Sequence, residues 1–226
     1  MTTSKLYEFR AELECALGLL EKNPDNYYSA LSLSRLLEKV NAEITASDAK
    51  STGRTSTLAA VKRILKTAAS GNCDGLKFPE IVNGFQYFCD GYRLIALPDP
   101  LPGFPARPEN VSPVEYAKLD REPENPVMLT LPTLDSLKTW IKRKTAEHKA
   151  AGRRDKLKLE YHFGTGLPTV NAAYLVDMLE ALPDASAVFE EGYPLRGIYF
   201  TADNGHGILM PIRSTDTDTS RTNLAA

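Results

Sequence analysis

With 226 residues, 42% of them hydrophobic and 25% charged, the chain has room for one large or two small domains and enough length to bury a real core. A formal net charge of -2 argues against coating nucleic acid by bulk electrostatics, so any basic patch must be local. No apolar run reaches the length of a membrane span, and Glu8, Arg10, Glu12 and Glu14 interrupt the place where a signal peptide needs an apolar core, so a cytoplasmic protein is expected. Cys15, Cys73 and Cys89 are odd in number and lack CxxC spacing, which points to buried free thiols rather than a disulfide framework or a zinc site.

Leu6, Phe9, Leu13, Leu17 and Leu20 share one helical face over residues 4–22. After the turn Asn23-Pro24-Asp25-Asn26 a second amphipathic helix runs from Tyr28 to Ile44, and residues 1–50 read as a helical hairpin. It is either a packing element on the main domain or a partner-binding or dimerising appendage. Ala46 to Arg54 is small and polar and reads as a linker or loop.

From Ser56 the chain is helical again, with Leu58, Val61, Ile64 and Leu65 inward and Lys62, Arg63 and Lys66 outward. Glycines at 71 and 75 end it. Strands follow at Ile81-Val82 and Gln86–Phe88 about an Asn83-Gly84 turn, and at Tyr92–Leu97, with Asp90-Gly91 as a tight turn between the last two. Prolines then crowd residues 98–126, a density of missing donors that no ladder strand tolerates. An extended surface connection is expected, with a helical turn near Val114–Leu119; a proline-rich ligand for another domain is the alternative.

Val127–Pro132 reads as a short buried strand, and Thr133 or Asp135 starts a helix with Leu134, Leu137 and Ile141 inward and Trp140 beside them. That helix turns basic: Lys138, Lys142, Arg143, Lys144, Lys149, Arg153, Arg154, Lys156 and Lys158 meet only Glu147 and Asp155. Leu157, Leu159, Tyr161 and Phe163 alternate as a strand. Asn171 is an N-cap candidate for a helix closed by Pro183, with Asp177 and Glu180 toward the wetter side. Strands at Ala187–Phe189, Leu195–Thr201 and Gly207–Met210 follow, the last two joined by Asp203-Asn204-Gly205, and a polar tail over 214–226 reads as disordered.

Three stretches together resemble the bacterial replicative sliding clamp, the beta subunit of DNA polymerase III. Phe88-Cys89-Asp90-Gly91-Tyr92-Arg93-Leu94 is similar to that family's A-T-D-G-H-R-L signature, with Cys89 for the usual Thr and Tyr92 for the usual His. Lys62-Arg63-Ile64-Leu65-Lys66-Thr67-Ala68-Ala69 resembles its l-K-R-v-x-x-A-a helix. Residues 171–182 followed by three strands and Met210-Pro211-Ile212-Arg213 resemble its closing helix, sheet and M-P-M-R end. The resemblance covers roughly residues 56–97 and 127–213, whereas an intact clamp subunit has three domains.

It implies an α+β, DNA-clamp-like domain over residues 54–213, with two helices against a curved antiparallel sheet. It also implies an apolar peptide-binding groove at Gly91, Tyr92, Arg93, Leu94, Met210, Pro211, Ile212 and Arg213. By the same resemblance, Lys62, Arg63, Lys66, Lys138, Lys142, Arg143, Lys144, Lys149, Arg153 and Arg154 would meet duplex DNA through its backbone, without reading sequence. The expected function is therefore non-catalytic: a clamp-like protein associating with duplex DNA, with peptide motifs of replication or repair proteins, or with both, as a possible homo-oligomer. The alternative is a protein-interaction or regulatory module of phage or mobile-element type without DNA binding. His148, His162 and His206 show no metal or dyad spacing, no phosphate-binding or dinucleotide fingerprint occurs, and Asp90 beside Arg93 and Asp203 beside His206 read as turn residues. No enzyme activity, cofactor or metal is expected.

Overall fold

The computed structural model describes residues 3–22, 24–153 and 155–212. Helices α1 (Thr3–Leu20) and α2 (Tyr27–Ser51) form the expected hairpin, with Leu6, Leu13, Leu33, Leu37, Val40 and Ile44 in the seam between them. The segment after Ile44 is not a linker, because α2 continues through it to Ser51. Its small residues are the face that meets the body: Ala49 is fully buried and Thr45 donates to the Pro102 carbonyl at 2.6 Å. Only Thr52-Gly53-Arg54 part α2 from α3 (Thr55–Ala69).

Seven strands follow: β1 (Glu80–Val82), β2 (Phe85–Cys89), β3 (Arg93–Leu97), β4 (Pro126–Leu129) and, after an excursion, β7 (Ser186–Glu190), β8 (Ile198–Ala202) and β9 (Gly205–Leu209). They make one antiparallel sheet in the order β1-β2-β3-β9-β8-β7-β4. The excursion holds α5 (Leu134–Ala150), the small pair β5 (Glu160–His162) and β6 (Thr169–Asn171), and α6 (Ala172–Ala181); a single turn, α4 (Tyr116–Leu119), precedes β4. The protein is thus α+β, with helices packed on an antiparallel sheet.

One pattern occurs twice in it. Helix α3 leads into the meander β1-β2-β3 and helix α6 into the meander β7-β8-β9, and the two meanders join where Arg93 pairs with Leu209 and Ala96 with His206. Behind that seam α3 packs on α6, which also touches α5. Strand alternation sends Phe88, Ile95, Leu97, Ile198, Phe200 and Leu209 into one core with Val61, Ile64, Leu175 and Met178 of the helices. It sends Tyr87, Cys89, Leu94, Ala96, Tyr199 and Ile208 to the opposite face.

The proline-rich connection is what covers that opposite face, so it is more than a surface tether. Leu101 is buried on the helix side, trading backbone bonds with the Gln86 amide at 2.8 and 3.2 Å, and Phe104 meets Phe88 edge to face at 5.2 Å. The chain then passes the β1 edge, where Arg107 pairs with Glu80 at 2.5 Å, and Tyr116, only 1% exposed, stacks on Tyr87 at 4.6 Å. Because β3 is central and β4 lies on the far edge, the connection has to cross the sheet, and Val114 and Tyr116 turn that crossing into a core.

Several local expectations change. Of residues 157–163 only Glu160–His162 form a strand, which pairs with β6 outside the main sheet, because the chain folds back through Gly164–Leu167. The strand expected from Leu195 starts at Ile198, since Tyr193–Arg196 form a turn with Arg196 N bonded to Tyr193 O at 2.9 Å. The basic helix stops at Ala150, followed by Gly152 at φ 63. All three cysteines are free, yet Cys15 and Cys73 are exposed and only Cys89 is buried. The 214–226 tail lies outside the described residues.

Turn chemistry sets the registers. Asn83 and Gly84 both have positive φ, 51 and 84, in a two-residue hairpin loop closed by Val82 opposite Phe85. At the central seam a Cβ on Gly205, where φ is 144, would lie 2.3 Å from the Ala96 carbonyl oxygen. Gly205→Ala is therefore expected to cost at least about 2 kcal/mol in urea unfolding. Gly18→Ala, in α1 with nothing within 4 Å of the added carbon, should instead stabilise by about 0.5–1 kcal/mol. Equal effects of the two changes would refute this account of the seam.

Candidate functional site

The Asp90-Gly91-Tyr92-Arg93 turn builds a densely hydrogen-bonded point between the sheet and the helices. Gly91 supplies φ 85, and Asp90 Oδ1 accepts the backbone N–H of Tyr92 at 2.9 Å and of Arg93 at 2.8 Å. Cys89 accepts the Gly91 N–H on its sulfur at 3.4 Å, and burial pushes its thiol up to about 11. The turn aims Arg93 into the helix side, 2% exposed. There Nε donates to Asp90 Oδ2 at 3.0 Å, Nη2 to Thr67 Oγ1 of α3 at 3.0 Å, and Nη1 to Asp177 of α6. The Tyr174 ring lies 4.0 Å from the guanidinium carbon.

The network continues outward. Arg63 Nε donates to the other Asp177 oxygen at 2.5 Å and its Nη2 to Glu180, which also takes Lys138 Nζ at 2.6 Å. Arg93, Arg63 and Lys138 are thus matched by Asp90, Asp177 and Glu180. Burial pushes the Asp177 carboxyl up while the two arginines pull it back; for Glu180 burial also raises the pKa, but Lys138 and Arg63 prevail and hold it below its ordinary value. Asp177, expected on the wet side, is 4% exposed, because a carboxylate between two guanidinium groups is satisfied without water.

Of the groove residues, the two motifs do meet: Met210 N donates to Tyr92 O at 2.8 Å. Tyr92 and Met210 are exposed, at 56% and 43%; Gly91 is exposed, and Pro211 and Ile212 are half-buried. Arg93 and Leu94 are not groove surface, since Arg93 is consumed by the network and Leu94, 4% exposed, packs under the connection. Arg213 lies outside the described residues. Beside Met210 an open cavity of about 470 Å³ is lined by Ile208, Leu195, Arg196, Leu119 and Arg121.

The basic residues divide. Arg63 and Lys138 are held by acids, and Arg143 and Lys144 approach Glu147 at 3.8 and 3.3 Å. Lys62 and Lys66 of α3, Lys142 and Lys149 of α5, and Arg153 beyond it are exposed and carry no ion pair among the described residues. Arg154 lies outside them.

A second polar cluster on the opposite face had no sequence signal, because its members are far apart in the chain. Asp120 Oδ2, in the connection, accepts from Tyr87 OH at 2.8 Å and from His206 Nε2 at 2.7 Å, and His206 stacks on Tyr199 at 5.7 Å. His206 thus pairs with Asp120 rather than serving the hairpin turn beside Asp203. Burial raises the Asp120 pKa, but the bonds from His206 and Tyr87 outweigh it and hold the carboxyl below its ordinary value; burial pushes Tyr199 up to about 12. Among the described residues no group of three or more His, Cys, Asp or Glu side chains could hold a metal ion, and no helix is long and apolar enough to cross a membrane.

Comparison with protein-family models, curated proteins and solved structures finds no match.

Two measurements follow. Arg93→Met should lower unfolding stability by about 3–5 kcal/mol, since it strands two buried carboxylates. Arg63→Met, with 46% of its side chain exposed, should cost less than about 1 kcal/mol, and equal losses would dismiss Arg93 as the centre. A carbon-detected titration of Asp120 should give a midpoint below about 3.9, rising in Tyr87→Phe. A lowered carboxyl pKa contributes stability above the unfolded value that is lost as pH falls through the folded one, so this tie should hold until below about pH 4. A midpoint above the reference value would contradict it.

Proposed function

We propose that the protein is a non-catalytic, DNA-associated protein of sliding-clamp type whose helical layer meets the backbone of duplex DNA. The supporting observation is the charge left over on that layer. The acids of α6, Asp177 and Glu180, are matched by Arg63, Arg93 and Lys138, so Lys62, Lys66, Lys142 and Lys149 remain as exposed cations without partners among the described residues. Lys142 and Lys149 follow Lys138 at helical spacing on the side of α5 toward α6, and Lys66 follows Lys62 by one turn. Phosphates on a duplex are spaced regularly and carry no sequence information, which suits flexible lysines on adjoining helices.

The paired helix-plus-meander units and the motif residues at 88–94 and 210–212 favour the clamp-type reading of the fold over an unrelated α+β architecture. Self-association would close such units into a ring. The contact of Met210 with Tyr92 favours a second site on the same protein, an apolar groove for a short peptide of a replication or repair partner.

The test is fluorescence anisotropy of a labelled duplex over a salt series. Four phosphate contacts imply a slope of log affinity against log salt of about -3 to -4, with each Lys→Gln change among the four removing about one unit, whatever the sequence of the duplex. No binding at low salt, or binding indifferent to the quadruple variant, would defeat the DNA reading and leave the interaction module without DNA contact.

A further inference from the structure

We infer that the connection over residues 105–123 is a strap that opens as a unit from the sheet face it covers, with the Asp120 carboxylate as its latch. Among the described residues none of the backbone–backbone hydrogen bonds of this segment reaches the rest of the protein. All are local, such as Asp120 N to Tyr116 O at 2.8 Å and Val111 N to Pro108 O at 3.0 Å. The strap is held by side chains instead. Arg107 grips Glu80 at the near end, Val114 and Tyr116 pack at mid-span, Asp120 takes Tyr87 and His206, and beyond the far end the Glu124 N–H donates to buried Glu190 at 2.8 Å.

Opening therefore breaks no sheet ladder, which is the condition for a local, sub-global transition. Among the described residues Tyr116 Oη and Asp120 Oδ1 are buried with no protein hydrogen-bond partner, and both reach bulk solvent when the strap lifts. The latch ties the strap to two strands at once, because one carboxylate oxygen receives donors from β2 and β9.

The strap also forms one wall of the cavity beside Met210, through Lys118, Leu119 and Arg121, while Ile208 and Met210 form its floor. An open strap removes that wall and uncovers Tyr87 and Tyr199, so the latch gates this cavity, which meets the groove residues at Met210. That the cavity receives a peptide rests on the proposed function; the opening itself does not.

Native-state trypsin cleavage of the full chain over a urea series reads the strap alone, without DNA or peptide. Lys118 and Arg121 offer its two cleavable bonds, since Arg107 precedes Pro108. Cleavage there should proceed with a shallower urea dependence than global unfolding followed by circular dichroism. Asp120→Ala should accelerate it on the order of tenfold to a hundredfold, leaving cleavage after Lys62 and Lys142 on its original urea dependence. Tyr87→Phe, which removes one donor and keeps the ring stack, should give a smaller acceleration at the same two bonds and serves if the alanine variant does not fold. Cleavage at Lys118 and Arg121 that tracks global unfolding, or a variant that accelerates every site equally, would overturn the strap. A strap that opens in a protein that binds no duplex would sink only the DNA reading.

Discussion

The structure hangs on one buried guanidinium. Arg93 begins the central strand β3, yet its side chain is bonded to the turn before it, to α3 through Thr67 and to α6 through Asp177, with Tyr174 against its face. Three elements that are distant in sequence are thereby fixed in one mutual geometry. Arginine alone suits the position, because its planar fork offers donors in several directions at once and stays charged when buried. Such a centre is a poor source of net stability and a strict source of specificity, since any arrangement that separates the partners strands charges in an apolar core.

The same network sorts the outer charges. By satisfying the acids of α6 from within and from both flanks, it leaves the helical surface with lysines and little to oppose them. A chain of formal net charge -2 can in this way present a locally cationic face. The acidic excess lies elsewhere, and nothing in the bulk composition reports the difference.

Much of this was legible in the residues. The Asn171 cap is real, accepting Ala173 N at 3.0 Å, as is Thr133, which accepts Ser136 N at 3.2 Å; the Asn83-Gly84 hairpin follows from turn chemistry, and the last hairpin forms with Asp203-Asn204 as its loop and Gly205 already in the strand. Periodicity located α3, α5 and α6. What could not be read was anything decided by distant partners. The pairing of Arg93 with Asp177 spans 84 positions and that of Asp120 with His206 spans 86, so no local stretch of sequence shows either. The connection misled for a related reason: prolines exclude a strand, but they do not say whether Tyr116 between them faces water or a second core. Residues 46–51 misled through their small polar side chains, since the contact that keeps them helical is made by Ala49, the one residue among them buried against the body.

The central seam also governs how the chain can come into being. β3 emerges from synthesis with β2 already available to pair, but its other neighbour, β9, follows about 110 residues later. Until then the nascent protein carries an open strand edge flanked by Leu94 and Ile95, with α3 lacking the helix it packs against. Closing so long a loop is slow, and the half-built sheet is the species most exposed to pairing with another copy. Shielding β3 during that interval is a demand set by strand order and not by the stability of the finished fold.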